Sequence, residues 1–184
     1  ELMPGATSTY GPADAKGGIW VVLEQRRDGS LEGVSKELLG KGRDLALQHD
    51  ERLTGLLLGG GTQAAAAEAT ALGADEVLVA EHPLLADYRT DPHADVATRA
   101  ILAGKPGIVL FGATANGRDL AGRLAVRMRT GLTADCTDLA IERTADGAVL
   151  QGEVTGFGGG IAAIIVCKTC RPQMATVRPG VFPA

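Results

Sequence analysis

Aromatic side chains are nearly missing from this sequence: they make up 3% of 184 residues, with a single tryptophan. A core without rings must be assembled from Ala, Val, Leu and Ile. Long apolar runs are lacking too, and none approaches the ~18 residues that a membrane span needs. The opening Glu1-Leu2-Met3-Pro4-Gly5-Ala6 has neither a basic nor an apolar region of the kind a signal peptide carries. It begins at Glu1, as expected for a chain that has lost its initiator or was cut from something longer. Basic charge is in short supply. The 18 Lys and Arg are dispersed and outnumbered by 22 Asp and Glu, giving a net charge of -4. That balance removes the electrostatic footprint of a nucleic-acid or acidic-membrane binder. Serine occurs at Ser8, Ser30 and Ser35, never in a G-x-S-x-G elbow. Three cysteines without a secretory signal fit free thiols in a reducing, cytoplasmic compartment.

What is present is 45% hydrophobic and 22% charged, with 26 glycines, ordinary values for a folded domain that packs its layers closely. Residues 1–17 hold Pro4, Gly5, Gly11, Pro12 and Gly17 without apolar periodicity and read as a flexible tail or linker. From Gly18, apolar runs alternate with helical patterns. Gly18 to Leu23, Leu53 to Leu58, Glu76 to Ala80 and Ile108 to Phe111 read as strands. Between them fall a helix after Ser35, an alanine-rich helix ended by Gly73, and a helix capped by Asp91 with Pro92 at its first position. A fourth, from Arg118 to about Arg129, carries Leu120, Leu124 and Met128 on one stripe and an Asp119–Arg123 pair on its exposed side. This alternation predicts an α/β fold with a mostly parallel sheet in three layers. After Gly131, Leu132 to Ile141, Val149 to Thr155 and Ile161 to Lys168 follow one another as strands, with Asp146-Gly147 as a hairpin turn. They predict an antiparallel C-terminal extension.

Three stretches invite a chemical reading. Gly59-Gly60-Gly61-Thr62 and Gly112-Ala113-Thr114-Ala115-Asn116-Gly117-Arg118-Asp119 each join a strand to a helix, where backbone N–H groups can meet a phosphate. Neither is a G-x-G-x-x-G or Walker loop. Tight turning explains the first, and Asn116 as a cap explains the second. Cys167-Lys168-Thr169-Cys170 has the spacing of zinc and dithiol sites. Zinc needs about four ligands, and Cys136, His49, His82 and His93 are scattered. Residues three apart on a strand face opposite ways, so chelation requires a turn at Lys168-Thr169, and Pro172 argues against a thioredoxin-like helix. Asp135 and Asp138, also three apart, are separated by the same argument. The histidines have plain readings: His49 on the surface, His82 in a turn, His93 in a first helical turn. No catalytic constellation and no metal site emerge.

Several stretches together resemble the α subunit of electron-transfer flavoproteins: Gly117-Arg118-Asp119-Leu120-Ala121, then Thr130-Gly131-Leu132-Thr133-Ala134-Asp135-Cys136-Thr137-Asp138-Leu139, and Arg171-Pro172-Gln173-Met174-Ala175-Thr176-Val177-Arg178-Pro179-Gly180-Val181-Phe182. Leu72 to Val77 and His82 to Leu85 fit the same pattern. The resemblance implies a Rossmann-like, adenine-nucleotide-hydrolase-like domain over 18–178. Residues 179–184 would begin a linker to a C-terminal FAD domain that this chain does not contain. It implies an electron carrier rather than an enzyme, with FAD held by the full heterodimer and none by this fragment. The implied partners are the β subunit and flavin dehydrogenases such as those for acyl-CoA in fatty acid β-oxidation. The setting would be the bacterial cytoplasm, or the mitochondrial matrix in a eukaryote. This chain would serve as scaffold and β-subunit interface. The α pattern leaves the loop Thr114, Asn116, Gly117, Arg118 normally empty of nucleotide. Val154 and Thr155 stand where many members have Arg and Pro, which puts that arginine's polar contact in doubt. The competing reading is a free-standing nucleotide-binding domain that uses the Gly59 or Asn116 loop.

Overall fold

Ile19-Trp20-Val21-Val22-Leu23 is buried at every position, the pattern of a strand covered on both faces. The structure is a computed structural model and describes residues 10–144, 147–156 and 160–184. Four strands share that complete burial: β1 (Ile19–Leu23), β2 (Leu53–Gly59), β4 (Ile108–Gly112) and β9 (Gln173–Val177). They form the centre of a six-stranded parallel sheet of order β3-β2-β1-β4-β9-β5, with β3 (Glu76–Glu81) and β5 (Leu132–Cys136) at its edges.

Helices cover both faces. Leu38, Leu39 and Leu45 of α1 (Gly33–His49) and Ala65 and Ala69 of α2 (Gln63–Ala71) pack on Val21, Leu57 and Leu110. Ile101 of α3 (Thr90–Gly104) and Leu120, Leu124 and Met128 of α4 (Ala115–Met128) pack on Trp20, Leu56, Val109 and Phe111. The expected scarcity of rings in the core holds: the largest fully buried side chains are Phe111 and a set of Leu, Ile and Met.

The antiparallel extension takes the form of a separate sheet, β6 (Asp138–Thr144), β7 (Gly147–Thr155) and β8 (Ala162–Val166) in that order. Leu139 and Leu150 anchor it to the α1–α2 side of the core, with Ile141 and Val154 packed beside them. Val154 is therefore a packing residue in this chain. Leu132 to Ile141, expected as one strand, is two. The register shifts after Thr133, Asp135 takes φ +59°, and Thr137 separates β5 from β6. The alternation argument for Asp135 and Asp138 thus loses its premise. Gln173 to Val177, within the Arg171–Phe182 stretch that the resemblance takes as the last strand and hinge, returns to the main sheet between β4 and β5. Asp146 of the expected hairpin turn lies outside the described residues, although Thr144 faces Gly147 across the hairpin.

Two expected ends differ. Within residues 10–17, read as part of a tail, Tyr10 is anchored: it is 5% exposed, donates its hydroxyl to the Pro106 carbonyl at 2.8 Å and bridges to Arg171. Past β9, the Gly180 N–H donates to Glu37 Oε2 at 2.8 Å and Lys41 sits over the Phe182 ring, so this segment lies along α1. Helix starts shift as well. Arg89, not Asp91, is the N-cap of α3, and Ser35 is inside α1, where its hydroxyl accepts the Glu24 N–H.

Candidate functional site

In a doubly wound sheet, ligands enter where neighbouring strands send their connections to opposite faces. Here that point is between β1 and β4, because the chain runs from β1 outward to β2 and β3 and then returns to β4 on the far side. A cavity of about 390 Å³ lies there, lined by residues after β1 (Glu24, Gln25), after β2 (Gly59, Gly60), at the end of β4 (Gly112) and at the start of α4 (Asn116, Gly117). Both glycine loops singled out in the sequence therefore meet at one crevice, beside His93, Tyr88 and Leu120.

Each loop already holds a negative group from the chain itself. At α4, the N-cap is Thr114, not Asn116. Its Oγ1 accepts the Gly117 N–H at 2.9 Å and donates to the Glu24 carboxylate at 2.8 and 2.9 Å. Glu24 thus occupies the end of the helix dipole where a phosphate would sit. Close approach makes room for it. A Cβ at Gly112 would come 3.1 Å from Glu24 Oε1, and one at Gly117 would come 2.0 Å from the Gly112 carbonyl oxygen. At α2, Glu81 Oε2 accepts the Thr62 hydroxyl at 2.6 Å and the Thr62 N–H at 3.2 Å. Gln25 ties the end of β1 to the first loop by donating to the Gly61 carbonyl at 3.1 Å.

Burial pushes the Glu24 carboxyl above its ordinary value; the Thr114 hydroxyl opposes this and Glu32 adds to it. Glu81 is held below its ordinary value, first by the Thr62 hydroxyl and then by backbone N–H groups. Asp119 is held low by Thr90 and Tyr88, whose hydroxyls donate to Oδ2 at 2.6 and 2.7 Å. Those bonds tie the start of α3 to α4 across the crevice wall. The expected Asp119–Arg123 pair gives way to them, and Arg123 acts on Asp119 only as a nearby charge. Arg118 turns outward, donating Nε to the Thr114 carbonyl at 3.3 Å.

Sequence reasoning found both loops and missed Glu24, Gln25 and Glu81, the side chains that fill them. The signal was available: each carboxylate lies just after, or at the end of, a strand neighbouring the loop that it caps. The histidines separate. His82 Nδ1 accepts the Leu84 N–H at 3.1 Å in a turn, whereas His93 is 6% exposed in the crevice wall, where burial pushes its pKa down. Cys167 and Cys170 follow the end of β8 in a loop that bends at Thr169 and Cys170. No group of three or more His, Cys, Asp or Glu suited to a metal is found among the described residues.

An electron transfer flavoprotein domain model matches residues 19–184. The chain belongs to the electron transfer flavoprotein family. It is 49% identical over 170 residues to an electron transfer flavoprotein subunit alpha of Clostridium acetobutylicum, covering 92% of this chain and 49% of that protein. It is 47% identical to the FixB protein of Rhizobium meliloti, across 89% and 46% of the two chains. With an acryloyl-CoA reductase electron transfer subunit beta of Anaerotignum propionicum the identity is 40%, across 89% and 50%. The chain spans about half the length of the curated relatives it matches.

The family name raises the question of a flavin. The one crevice with dinucleotide-site topology does not fit it, because Glu24 and Glu81 stand where the pyrophosphate would meet the helix N-termini. No step through a flavin follows from these residues.

Proposed function

We propose that this chain is the N-terminal domain of an electron transfer flavoprotein α subunit, serving as scaffold and as the surface that receives the β subunit. The observation that carries the reading is β8. All five of its residues, Ala162-Ala163-Ile164-Ile165-Val166, are exposed, with Ile164 at 56% and Ile165 at 44%. Among the described residues β8 pairs with β7 on one edge only. An apolar strand with a free edge is a liability in an isolated protein, and it becomes an asset when a partner subunit covers it. The occupant is taken as the β subunit because the relatives are named as electron transfer flavoprotein α subunits.

FAD belongs, in this reading, to the heterodimer and to the half of the relatives' length that this chain does not span. Flavin dehydrogenases are its electron donors, β-oxidation is one setting, and the site of action is cytoplasmic. The domain proper covers 18–178, and the segment from 179 leads toward the flavin-binding part. The protein carries electrons and performs no bond chemistry of its own. The crevice stays empty of nucleotide, so Thr114, Asn116, Gly117 and Arg118 position α4 and Glu24 instead of a phosphate.

Two experiments test this. Co-expression with the cognate β subunit should give a complex on size exclusion, and Ile164→Asp should weaken it about thirtyfold without unfolding the chain; unchanged affinity with that variant refutes the surface assignment. Calorimetry of the chain with AMP and ATP should give no heat. Micromolar binding would return the free-standing nucleotide-binding reading.

A further inference from the structure

Beyond docking, the loop after β8 assembles a second piece of chemistry. Arg171 is 4% exposed, and its guanidinium donates to the carbonyls of Lys168 at 3.2 Å, Cys170 at 3.0 Å and Ala148 at 3.1 Å. Among the described residues it forms no ion pair with a carboxylate. Among the described residues, the groups near it that can carry negative charge are Cys167, Cys170 and Tyr10. Tyr10 is removed from that set, because burial pushes its hydroxyl far up and it donates its proton to the Pro106 carbonyl. Two sulfurs remain near a buried guanidinium that, among the described residues, is held by carbonyls and not by a carboxylate.

Geometry supports their pairing. The strand ends at Val166 and the chain bends at Thr169 and Cys170, so the two side chains are not thrown to opposite faces of a sheet. Both are partly exposed free thiols, in contrast to the buried Cys136. Cys167 Sγ also has an approach side: it faces Gly131, where even a Cβ would come within 3.3 Å, and Gly131 is exposed. A bound metal is the other use of C-x-x-C, but a third ligand is missing among the described residues.

We propose that Cys167 and Cys170 form a reversible thiol–disulfide site that reacts with low-molecular-weight disulfides. One thiolate attacks a sulfur of the small disulfide, the bond between that molecule's two sulfurs breaks, and one half leaves as a thiol after taking up a proton. The second cysteine then attacks its neighbour's sulfur in the mixed disulfide, forming the Cys167–Cys170 bond and releasing the other half as a thiol. Two electrons pass from the protein pair to the small disulfide. The product cross-links the loop that joins the exposed β8 to the buried Arg171 anchor.

The test treats the 184-residue chain with oxidised glutathione near neutral pH, quenches with iodoacetamide, and reads intact mass and peptide map. The expected product has lost two hydrogens at Cys167 and Cys170, regains them with dithiothreitol, and leaves Cys136 unmodified until the chain is unfolded. Cys167→Ser and Cys170→Ser should each stop at one stable glutathione adduct. Arg171→Gln should slow closure of the disulfide, because the loop that carries both thiols loses the guanidinium bonded to its Lys168 and Cys170 carbonyls. If that variant does not fold, the two serine variants still decide. Both thiols alkylating fully after an incubation that oxidises free dithiothreitol, or a wild-type glutathione adduct that never resolves, overturns the proposal.

Discussion

The crevice between β1 and β4 and the sheet of β6, β7 and β8 handle exposed polar and apolar groups in opposite ways. In the crevice the chain satisfies itself: the Gly117 N–H donates to Thr114, whose hydroxyl donates to Glu24, and the Thr62 N–H and hydroxyl donate to Glu81. In the small sheet the chain leaves an apolar strand exposed along its whole length. A region that closes its own donors has little left to offer a ligand, whereas an uncovered strand edge offers both backbone hydrogen bonds and apolar area. In the proposed reading, a fold associated with nucleotide binding has its phosphate positions taken by its own carboxylates and its binding capacity moved to an appended sheet.

The largest effect should come from forcing the crevice open. Gly117→Ala places a methyl group against the Gly112 carbonyl, and such overpacking costs about 3 kcal/mol, which lowers Tm by roughly 10 °C in a chain of this size. A shift of a degree or two would mean that α4 can move away, and that the crevice is less tightly closed than its hydrogen bonds suggest. On the other side of the comparison, Ile164→Asp should leave Tm nearly unchanged, since exposed substitutions stay within about 0.5 kcal/mol. Its effect belongs to association. Loss of about 2 kcal/mol there weakens the β-subunit complex roughly thirtyfold, read by surface plasmon resonance. Equal losses in Tm and affinity would break the distinction between the two regions.

The parallel sheet was legible in the sequence because its central strands are buried on both faces and read as continuous apolar runs, as Ile19 to Leu23 does. β9 was legible only through the resemblance of Arg171 to Phe182 and not as an apolar run, since Gln173 and Thr176 interrupt its pattern. Both are buried through specific bonds: Gln173 Oε1 accepts the Leu150 N–H at 2.7 Å and Thr176 Oγ1 accepts the Asp135 N–H at 2.9 Å. Long-range hydrogen bonds of that sort leave no local periodicity. The crevice was half legible. Glycine loops announce themselves locally, but Glu24 is 90 residues from Thr114, so only the folded chain reveals that the second loop is filled. Tyr10 was lost for a similar reason, its neighbours being glycine and proline and its partner Pro106 lying 96 residues away.

Glu24 provides a finer test, through pH. Burial makes its carboxyl hold a proton more tightly in the fold than in the unfolded chain. The folded state then binds more protons, and stability falls as pH rises from the ordinary carboxylate range through the raised value. Glu24→Gln keeps the acceptor for Thr114 and stays neutral throughout. Urea unfolding between pH 4 and 8 should therefore show wild type and variant converging at the acid end, with the variant gaining as pH rises. A wild type that gains on the variant with rising pH would mean that the carboxylate is stabilised as an anion, and that the helix dipole outweighs burial at this position.

The smallest effect concerns Asp135 and Arg178, the pair that flanks the junction between the two sheets. Arg178 Nη2 donates to Asp135 Oδ2 at 2.6 Å, with both side chains nearly half exposed. The Arg178 hydrogen bond holds the Asp135 carboxyl below its ordinary value. Here the sign is reversed relative to Glu24: the contribution is present above the ordinary carboxylate range and is lost as pH falls through the lowered value. Solvent exposure limits it to at most about 0.5 kcal/mol, so Asp135→Asn should shift the unfolding midpoint only slightly at neutral pH, and less still in high salt. A shift several times larger that persists in salt would assign the bend at Asp135, with its positive φ, a share in holding the small sheet to the large one. The two regions would then be coupled through their junction instead of behaving as independent surfaces.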